Sequence, residues 1–125
     1  MQFASIRLVT ADIDRLVSFY VALTGIEPAR PAPAFADFRF GSVSFAISDQ
    51  SLIRKFNAGA AIAASNRSVM IEFQVDDVDA VHEQVQARNV EIAMPPTDMP
   101  WGNRSMLLRD PDGNVVNVFV RGQRG

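Results

Sequence analysis

The strongest constraint in this sequence is a repeat, because one short pattern occurs in each half of the chain. Asp12-Ile-Asp14 in the first half reappears as Asp77-Val-Asp79 in the second, and each copy follows a run of alternating residues. Each copy also opens a run of apolar residues at helical spacing. The repeat predicts a duplicated fold, and duplicated folds place their sites where the halves meet.

Composition places the chain of 125 residues among ordinary globular proteins of one domain. A formal net charge of −2 gives no basic surface for nucleic acid or for an anionic membrane. No stretch approaches the roughly 20 apolar residues of a membrane span. The N-terminus lacks the apolar core of a signal peptide, so we expect a cytoplasmic protein. The absence of cysteine excludes disulfides and thiolate metal sites.

The first half predicts a strand, a helix and a hairpin in that order. Residues 3–10 alternate between two faces, and Asp12 then has the chemistry of a helix N-cap. Gly25 is predicted to end this helix, and Phe35–Phe40 and Val43–Ser48 are predicted to form a hairpin about Gly41. The apolar face of the helix comprises Ile13, Leu16, Val17, Tyr20 and Leu23.

The second half repeats these elements. Residues 69–75 alternate, and Asp77 is predicted to cap a helix that carries Val78, Val81 and Val85. Arg104–Arg109 and Val115–Val120 are predicted to pair as a hairpin across Asp110-Pro-Asp-Gly113, which has proline and glycine at positions that favour a turn.

The repeat also divides the chain into regions. We predict one domain over residues 1–125, with a first module of about 1–52 and a second of about 68–122. The linker of about 53–67 is rich in alanine and glycine, and it is expected to be a short helix with a loop, or a mobile flap. Residues 94–102, which include the only tryptophan, are expected to be irregular and to fold over a sheet edge.

This order of elements resembles the vicinal oxygen chelate superfamily, which includes glyoxalase I, extradiol dioxygenases, fosfomycin-resistance enzymes and bleomycin-resistance proteins. The resemblance implies an α+β fold, in which two βαβββ modules form a curled mixed β-sheet cup with helices on the outside. It also implies a homodimer whose partner chain can complete the cup. The matching segments are Phe19-Tyr20, Leu23-Thr-Gly-Ile26, Phe73–Asp79, Pro100-Trp-Gly102 and Arg109–Asn114.

In the metal-using members, the metal ligands come from the first and last strands of each module. Carried over to this chain, those positions are Ser5, Met70, Asn117 and Phe45. Hydroxyl and amide oxygens are weak neutral ligands, and a thioether is too soft for a hard divalent ion. The resemblance is therefore to metal-free members, and we predict no metal site and no cofactor. The only histidine, His82, is expected on the exposed side of a helix.

Strand alternation places Arg7 and Glu72 on the same faces as Ser5 and Met70. Polar anchors among apolar walls suit a small amphipathic or planar organic ligand. Three alternatives stay open: Arg7 and Glu72 form only a structural ion pair, Met70 and the phenylalanines fill a core, and Trp101 forms a sheet-edge or dimer contact. The predicted ligand-binding residues are Ser5, Arg7, Phe45, Met70, Glu72, Gln74, Trp101, Asn117 and Phe119.

Three functions are consistent with these residues. The first is a small-molecule binding protein that sequesters its ligand, as in the bleomycin-resistance branch. The second is a lyase, isomerase or dioxygenase-like enzyme of the same superfamily, in which Glu72 is a candidate general base and Arg7 stabilises an oxyanion. Metal-dependent glyoxalase or dioxygenase activity is not expected, because the ligands are missing. The third is a dimeric protein-interaction module without a ligand.

Overall fold

The computed structural model, which describes residues 1–122, contains two four-stranded mixed sheets and three helices. The chain divides into two compact units, Met1–Ser65 and a second that begins at Asn66. The first unit contains β1 (Ser5–Thr10), α1 (Ile13–Thr24), β2 (Ala29–Ala32), β3 (Phe35–Phe40), β4 (Val43–Asp49) and α2 (Gln50–Phe56). The second contains β5 (Met70–Gln74), α3 (Val78–Gln86), β6 (Glu91–Asp98), β7 (Arg104–Arg109) and β8 (Val115–Val120). The predicted α+β class and its βαβββ modules are confirmed.

The two sheets have the same topology. Their strand orders are β1-β4-β3-β2 and β5-β8-β7-β6. In each sheet the first strand of the unit pairs in parallel with the last, and the other neighbours are antiparallel. The first strand therefore lies at a sheet edge, beside the strand that closes the hairpin.

The repeated aspartates begin the two helices as predicted. The Asp12 side chain accepts a hydrogen bond from the Arg15 backbone N–H at 3.1 Å, and Asp77 accepts one from Ala80 at 3.1 Å. Each bond satisfies one of the backbone donors that a helix leaves unpaired in its first turn. Gly25 ends α1 with φ of 71°, a left-handed conformation that favours glycine.

Each helix packs its apolar stripe on one face of the neighbouring sheet. On α1 the buried residues are Ile13, Leu16, Val17 and Tyr20. The Tyr20 ring lies 4.8 Å from Phe45 and 6.4 Å from Phe38, both in edge-to-face geometry. On α3 the buried residues are Val78 and Val85, and the buried strand residues of the second unit include Met106, Leu108, Val116 and Val118.

Two strands that the βαβββ resemblance implies were not located in the sequence. Residues 94–102 were expected to be irregular, but β6 extends to Asp98, and β2 forms in the proline-rich stretch after α1. Both are outer strands, where proline is tolerated because one side of the strand makes no hydrogen bonds within the sheet. The register of β6 shifts on both sides of Met94, although the exposure of its side chains still alternates from Glu91 to Thr97.

The region predicted as a linker contains the end of a helix. α2 ends at Phe56, and the division between the units falls after Ser65. Hydrogen bonds hold the segment between these points: Arg7 donates to the Asn57 side chain at 3.0 Å, the Ala63 N–H donates to Gln50 at 3.0 Å, and the Gly59 N–H donates to the Ile53 carbonyl at 2.9 Å. Within residues 1–122, no helix is long and apolar enough to cross a membrane.

The cap of α3 provides a test of this fold with a matched control. We expect Asp77→Ala to lower the free energy of unfolding by about 1 kcal/mol, because the first-turn donor of Ala80 loses its acceptor. Asp76→Ala removes the same charge from the neighbouring exposed position and is expected to change stability much less. Urea unfolding followed by circular dichroism measures both; equal losses would contradict a specific capping role.

Candidate functional site

Each sheet has one face against a helix and one face that carries most of the predicted site residues. In the first sheet, Phe38 and Phe45 pack toward α1, so alternation places Arg7, Asp37 and Ala46 on the opposite face. We call this the first site face. The second site face, opposite α3, comprises Met70, Glu72, Gln74, Leu107, Asn117 and Phe119.

On the first site face, strand register places two charged residues beside one small residue. Arg7 of β1 is level with Ala46 of β4, and Ala46 is level with Asp37 of β3. The Arg7 guanidinium donates a hydrogen bond to the Asn57 side chain, just after α2. Ser5 is level with Ser44 and is exposed. The predicted residues Ser5 and Arg7 therefore share one surface.

On the second site face, hydrogen bonds fix the orientation of the polar side chains. Glu72 and Asn117 are level on β5 and β8, and the Asn117 amide donates to the Glu72 carboxylate at 2.8 Å. One row further on, Arg121 donates to the Gln74 side chain at 3.2 Å and lies 5.7 Å from the centre of the Phe119 ring. Arg7 and Glu72 thus each have a partner inside their own unit.

The carbonyl oxygen of Asn117 is left without a donor. A carboxylate only accepts hydrogen bonds, so Asn117 must turn its amide nitrogen toward Glu72 and its oxygen away. This oxygen is shielded from solvent, and no donor among residues 1–122 reaches it. Met70, on the same face, is 45% exposed. The face therefore combines oriented polar groups with accessible apolar surface.

Phe45 does not belong with these residues, and its prediction is corrected. The side chain is 7% exposed and packs on Tyr20 and Phe38 in the core beneath α1. By register, Ala46 is the residue of the first unit that corresponds to Asn117, because it is level with Arg7 as Asn117 is with Glu72. Two residues connect β3 to β4, and five connect β7 to β8. Counting from the turn glycine therefore shifts the register by one, which reverses the face.

Trp101 and His82 lie away from the strands that carry the other predicted residues. Trp101 is 64% exposed in the turn between β6 and β7, where the Gly102 N–H donates to the Met99 carbonyl at 2.9 Å. Its contribution to a ligand site stays a prediction. His82 is on α3 as expected, but it is half-buried rather than exposed.

Comparisons with known proteins agree with this geometry. The sequence profile of the glyoxalase/bleomycin resistance protein/dioxygenase superfamily matches residues 2–118. The chain belongs to this superfamily. A comparison with curated proteins finds no match.

Solved structures of the superfamily resemble the chain over nearly its whole length. A glyoxalase/bleomycin resistance protein/dioxygenase from Nocardioides has 30% identity and a TM-score of 0.80, covering 100% of this chain and 86% of that one. A protein of unknown function from Agrobacterium tumefaciens str. C58 has 30% identity and a TM-score of 0.81, with 96% and 94% covered. A glyoxalase-related enzyme from Fulvimarina pelagi, at 20% identity, matches in fold with a TM-score of 0.83, with 97% and 88% covered.

The metal centre of the superfamily does not fit the residues present. The side chains at the corresponding positions are the Ser5 hydroxyl, the Met70 thioether and the Asn117 amide, with the Ala46 methyl at the fourth position by register. None of them is an imidazole or a carboxylate, the ligands that hold a divalent ion with nitrogen and oxygen donors. Among residues 1–122, no group of three histidine, aspartate or glutamate side chains is arranged to hold a metal.

The second unit also has a charged cavity of about 510 Å³ beside the start of α3. Arg104 donates two hydrogen bonds to Asp79, at 3.0 and 3.1 Å, and one to Asp98 at 3.0 Å. The bonds from Arg104 lower the pKa of Asp79 below its usual value of 3.8, and the two carboxylates raise the pKa of Arg104. The lining residues are Asp76, Asp77, Val78, Asp79, Asp98, Gly102, Arg104, Val120, Arg121 and Gly122.

Sequence reasoning did not identify several residues of the site faces. The sequence did contain a signal for Asp37, because alternation along β3 places it on the face opposite Phe38. Asn57 carries no local signal, since its contact with Arg7 joins positions far apart in the chain. Ala46 was not identified because the β3–β4 turn is shorter than the β7–β8 turn, so that counting from the turn glycine leads to Phe45 instead.

The Asp79–Arg104 pair predicts a dependence of stability on pH. A lowered folded-state pKa means that the carboxylate stabilises the fold above the ordinary value of 3.8 and ceases to do so as pH falls through the lower folded value. We expect Asp79→Asn to melt below wild type at neutral pH, with the gap closing below pH 3.8. Asp76→Asn is the control. A gap that persists at the lowest pH would refute the assignment.

Proposed function

We propose that this protein binds a small organic molecule without the metal centre of its superfamily. The observation that carries the proposal is the set of side chains at the ligand positions: Ser5, Met70 and Asn117, with Ala46 at the register-matched fourth position. These residues offer neutral oxygens, a thioether and a methyl group. Binding must then come from hydrogen bonds and apolar contact rather than from metal coordination.

The second site face supports ligand binding by the way its side chains are held. Glu72 is oriented by Asn117, and Gln74 is oriented by Arg121, so a ligand would not have to order these groups when it binds. Met70 and Phe119 supply apolar surface beside them. A few directed polar groups among apolar side chains are typical of small-molecule sites.

A thermal-shift screen tests ligand binding. We expect at least one member of a library of small aromatic and amphipathic compounds to raise the melting temperature, because a ligand that binds only the folded state stabilises it. Met70→Glu places a charge on the exposed apolar part of the face and is expected to weaken the response to each hit. Val69→Glu is the control at the neighbouring exposed position. A library without hits would contradict the proposal.

Metal analysis tests the second half of the proposal. We expect protein purified without chelators to contain far less than one equivalent of Zn, Ni, Mn or Fe, because the four positions lack anionic and imidazole ligands. The matched variant Met70→His with Asn117→Glu restores the ligand types of the metal-using members and is expected to bind metal more tightly. Stoichiometric metal in the natural protein would overturn this proposal.

Catalysis without a metal is the second candidate function. One observation favours it: the Asn117 amide holds one oxygen of Glu72, which leaves the other oxygen free to accept a proton from a bound substrate. For any substrate that is found to turn over, Glu72→Gln is expected to reduce kcat by at least about 100-fold, the usual contribution of a general base. Unchanged turnover in Glu72→Gln would remove Glu72 from the reaction and leave binding as the function.

A further inference from the structure

The first site face holds two opposite charges on either side of a small side chain. Arg7, Ala46 and Asp37 lie level on three successive strands. Neighbouring strands are roughly 4.8 Å apart, so the backbones that carry the two charges are separated by roughly 10 Å. Side chains stand roughly perpendicular to a sheet, so Arg7 and Asp37 project from the same face about two strand spacings apart.

Arg7 uses few of its hydrogen-bond donors within the first unit. A guanidinium has five N–H donors, and the hydrogen bond that it makes in the first unit goes to the neutral Asn57 side chain. Within the described part of that unit, Arg7 has no carboxylate partner. The guanidinium is exposed and keeps donors for an anionic group.

Asp37 lacks the partners that a buried carboxylate oxygen normally has. Its Oδ1 atom is shielded from solvent, and no donor among residues 1–122 reaches it. Its Oδ2 atom is 3.9 Å from the guanidinium of Arg39, which is beyond hydrogen-bond distance. An unpaired buried acceptor destabilises a fold. The Asp37 side chain as a whole is 25% exposed, although Oδ1 itself is shielded.

The β4 residues on the first site face are small, and Ala46 and Ser48 are buried, at 4% and 0% exposure. Ser44, Ala46 and Ser48 point to the first site face, whereas Phe45 and Ile47 point to the core beneath α1. The hydroxyl of Ser48 is a second buried polar group without a partner among the described residues. Of these three residues only Ala46 is level with both Arg7 and Asp37, so a large side chain at this position would stand between the two charges.

We propose that the first site face recognises a small zwitterion, whose carboxylate or other oxyanion binds Arg7 and whose ammonium group binds Asp37. The chemical class is an amino acid or a closely related molecule with its two charges a few atoms apart. This proposal rests on the proposed ligand-binding function and specifies the charges of the ligand. The alternative is that Asp37 serves Arg39 alone and Arg7 only anchors the segment after α2.

A matched series of three compounds separates these possibilities. L-phenylalanine carries both charges, 3-phenylpropionate carries only the anion, and 2-phenylethylammonium carries only the cation, all on the same aromatic body. By isothermal titration calorimetry, we expect the zwitterion to bind at least about tenfold more tightly than either analogue, because each charged hydrogen bond contributes separately. L-alanine, propionate and ethylammonium repeat the comparison without the bulk of the ring.

Two variants test which residue binds each charge of the ligand. Asp37→Asn is expected to abolish the preference for the zwitterion over the anion and to leave binding of the anion unchanged. Arg7→Gln is expected to abolish the preference for the zwitterion over the cation. Asp14→Asn on α1 and Arg54→Gln on α2 neutralise the same charges elsewhere in the unit, and they are expected to preserve both preferences. Circular dichroism verifies that each variant is folded.

The outcomes distinguish this proposal from the function on which it rests. Equal affinity for the three compounds of a series, or a preference that survives both site variants, would refute recognition of a zwitterion. Absence of binding in both series also refutes it, even if other compounds raise the melting temperature in the wider screen. The proposed function itself fails only if that wider screen also yields no ligand.

Discussion

The parallel pairing of the first and last strands in each unit decides which side chains share a surface. It sets Arg7 level with Ala46 in the first unit and Glu72 level with Asn117 in the second. The capped helix of each unit then covers one face of the sheet, and most of the predicted site residues lie on the other face. A slip of one residue in this pairing would exchange the two faces completely.

The two faces of the first sheet are built according to different requirements. Toward α1, large rings and aliphatic side chains pack closely around Tyr20, and dispersion and burial stabilise the unit. On the other face, Asp37 and Ser48 retain shielded polar atoms without partners. Groups of this kind lower stability, and their presence beside Arg7 is consistent with a surface selected for recognition rather than for stability.

The side chains at the positions that correspond to the superfamily's metal ligands are a hydroxyl, a thioether, an amide and a methyl group. A metal concentrates binding energy at one centre, whereas the anchors here are separate: Arg7 and Asp37 in one unit, and Glu72 with Asn117 in the other. Each anchor recognises a particular hydrogen-bond donor or acceptor. In the proposed function, selectivity would depend on the arrangement of charges on the ligand.

The sequence by itself determined the repeated module, its helix caps, all four hairpin strands to within one residue, and the side chains at the positions that correspond to the family's metal ligands. These features depend on local chemistry: an aspartate before a helix, a glycine in a turn, alternation along a strand. Tertiary structure alone decided that Ala46 rather than Phe45 corresponds to Asn117, that prolines lie in outer strands, and that Asn57 bonds Arg7. Strand register and long-range hydrogen bonds join residues distant in the chain, and no local pattern encodes those distances.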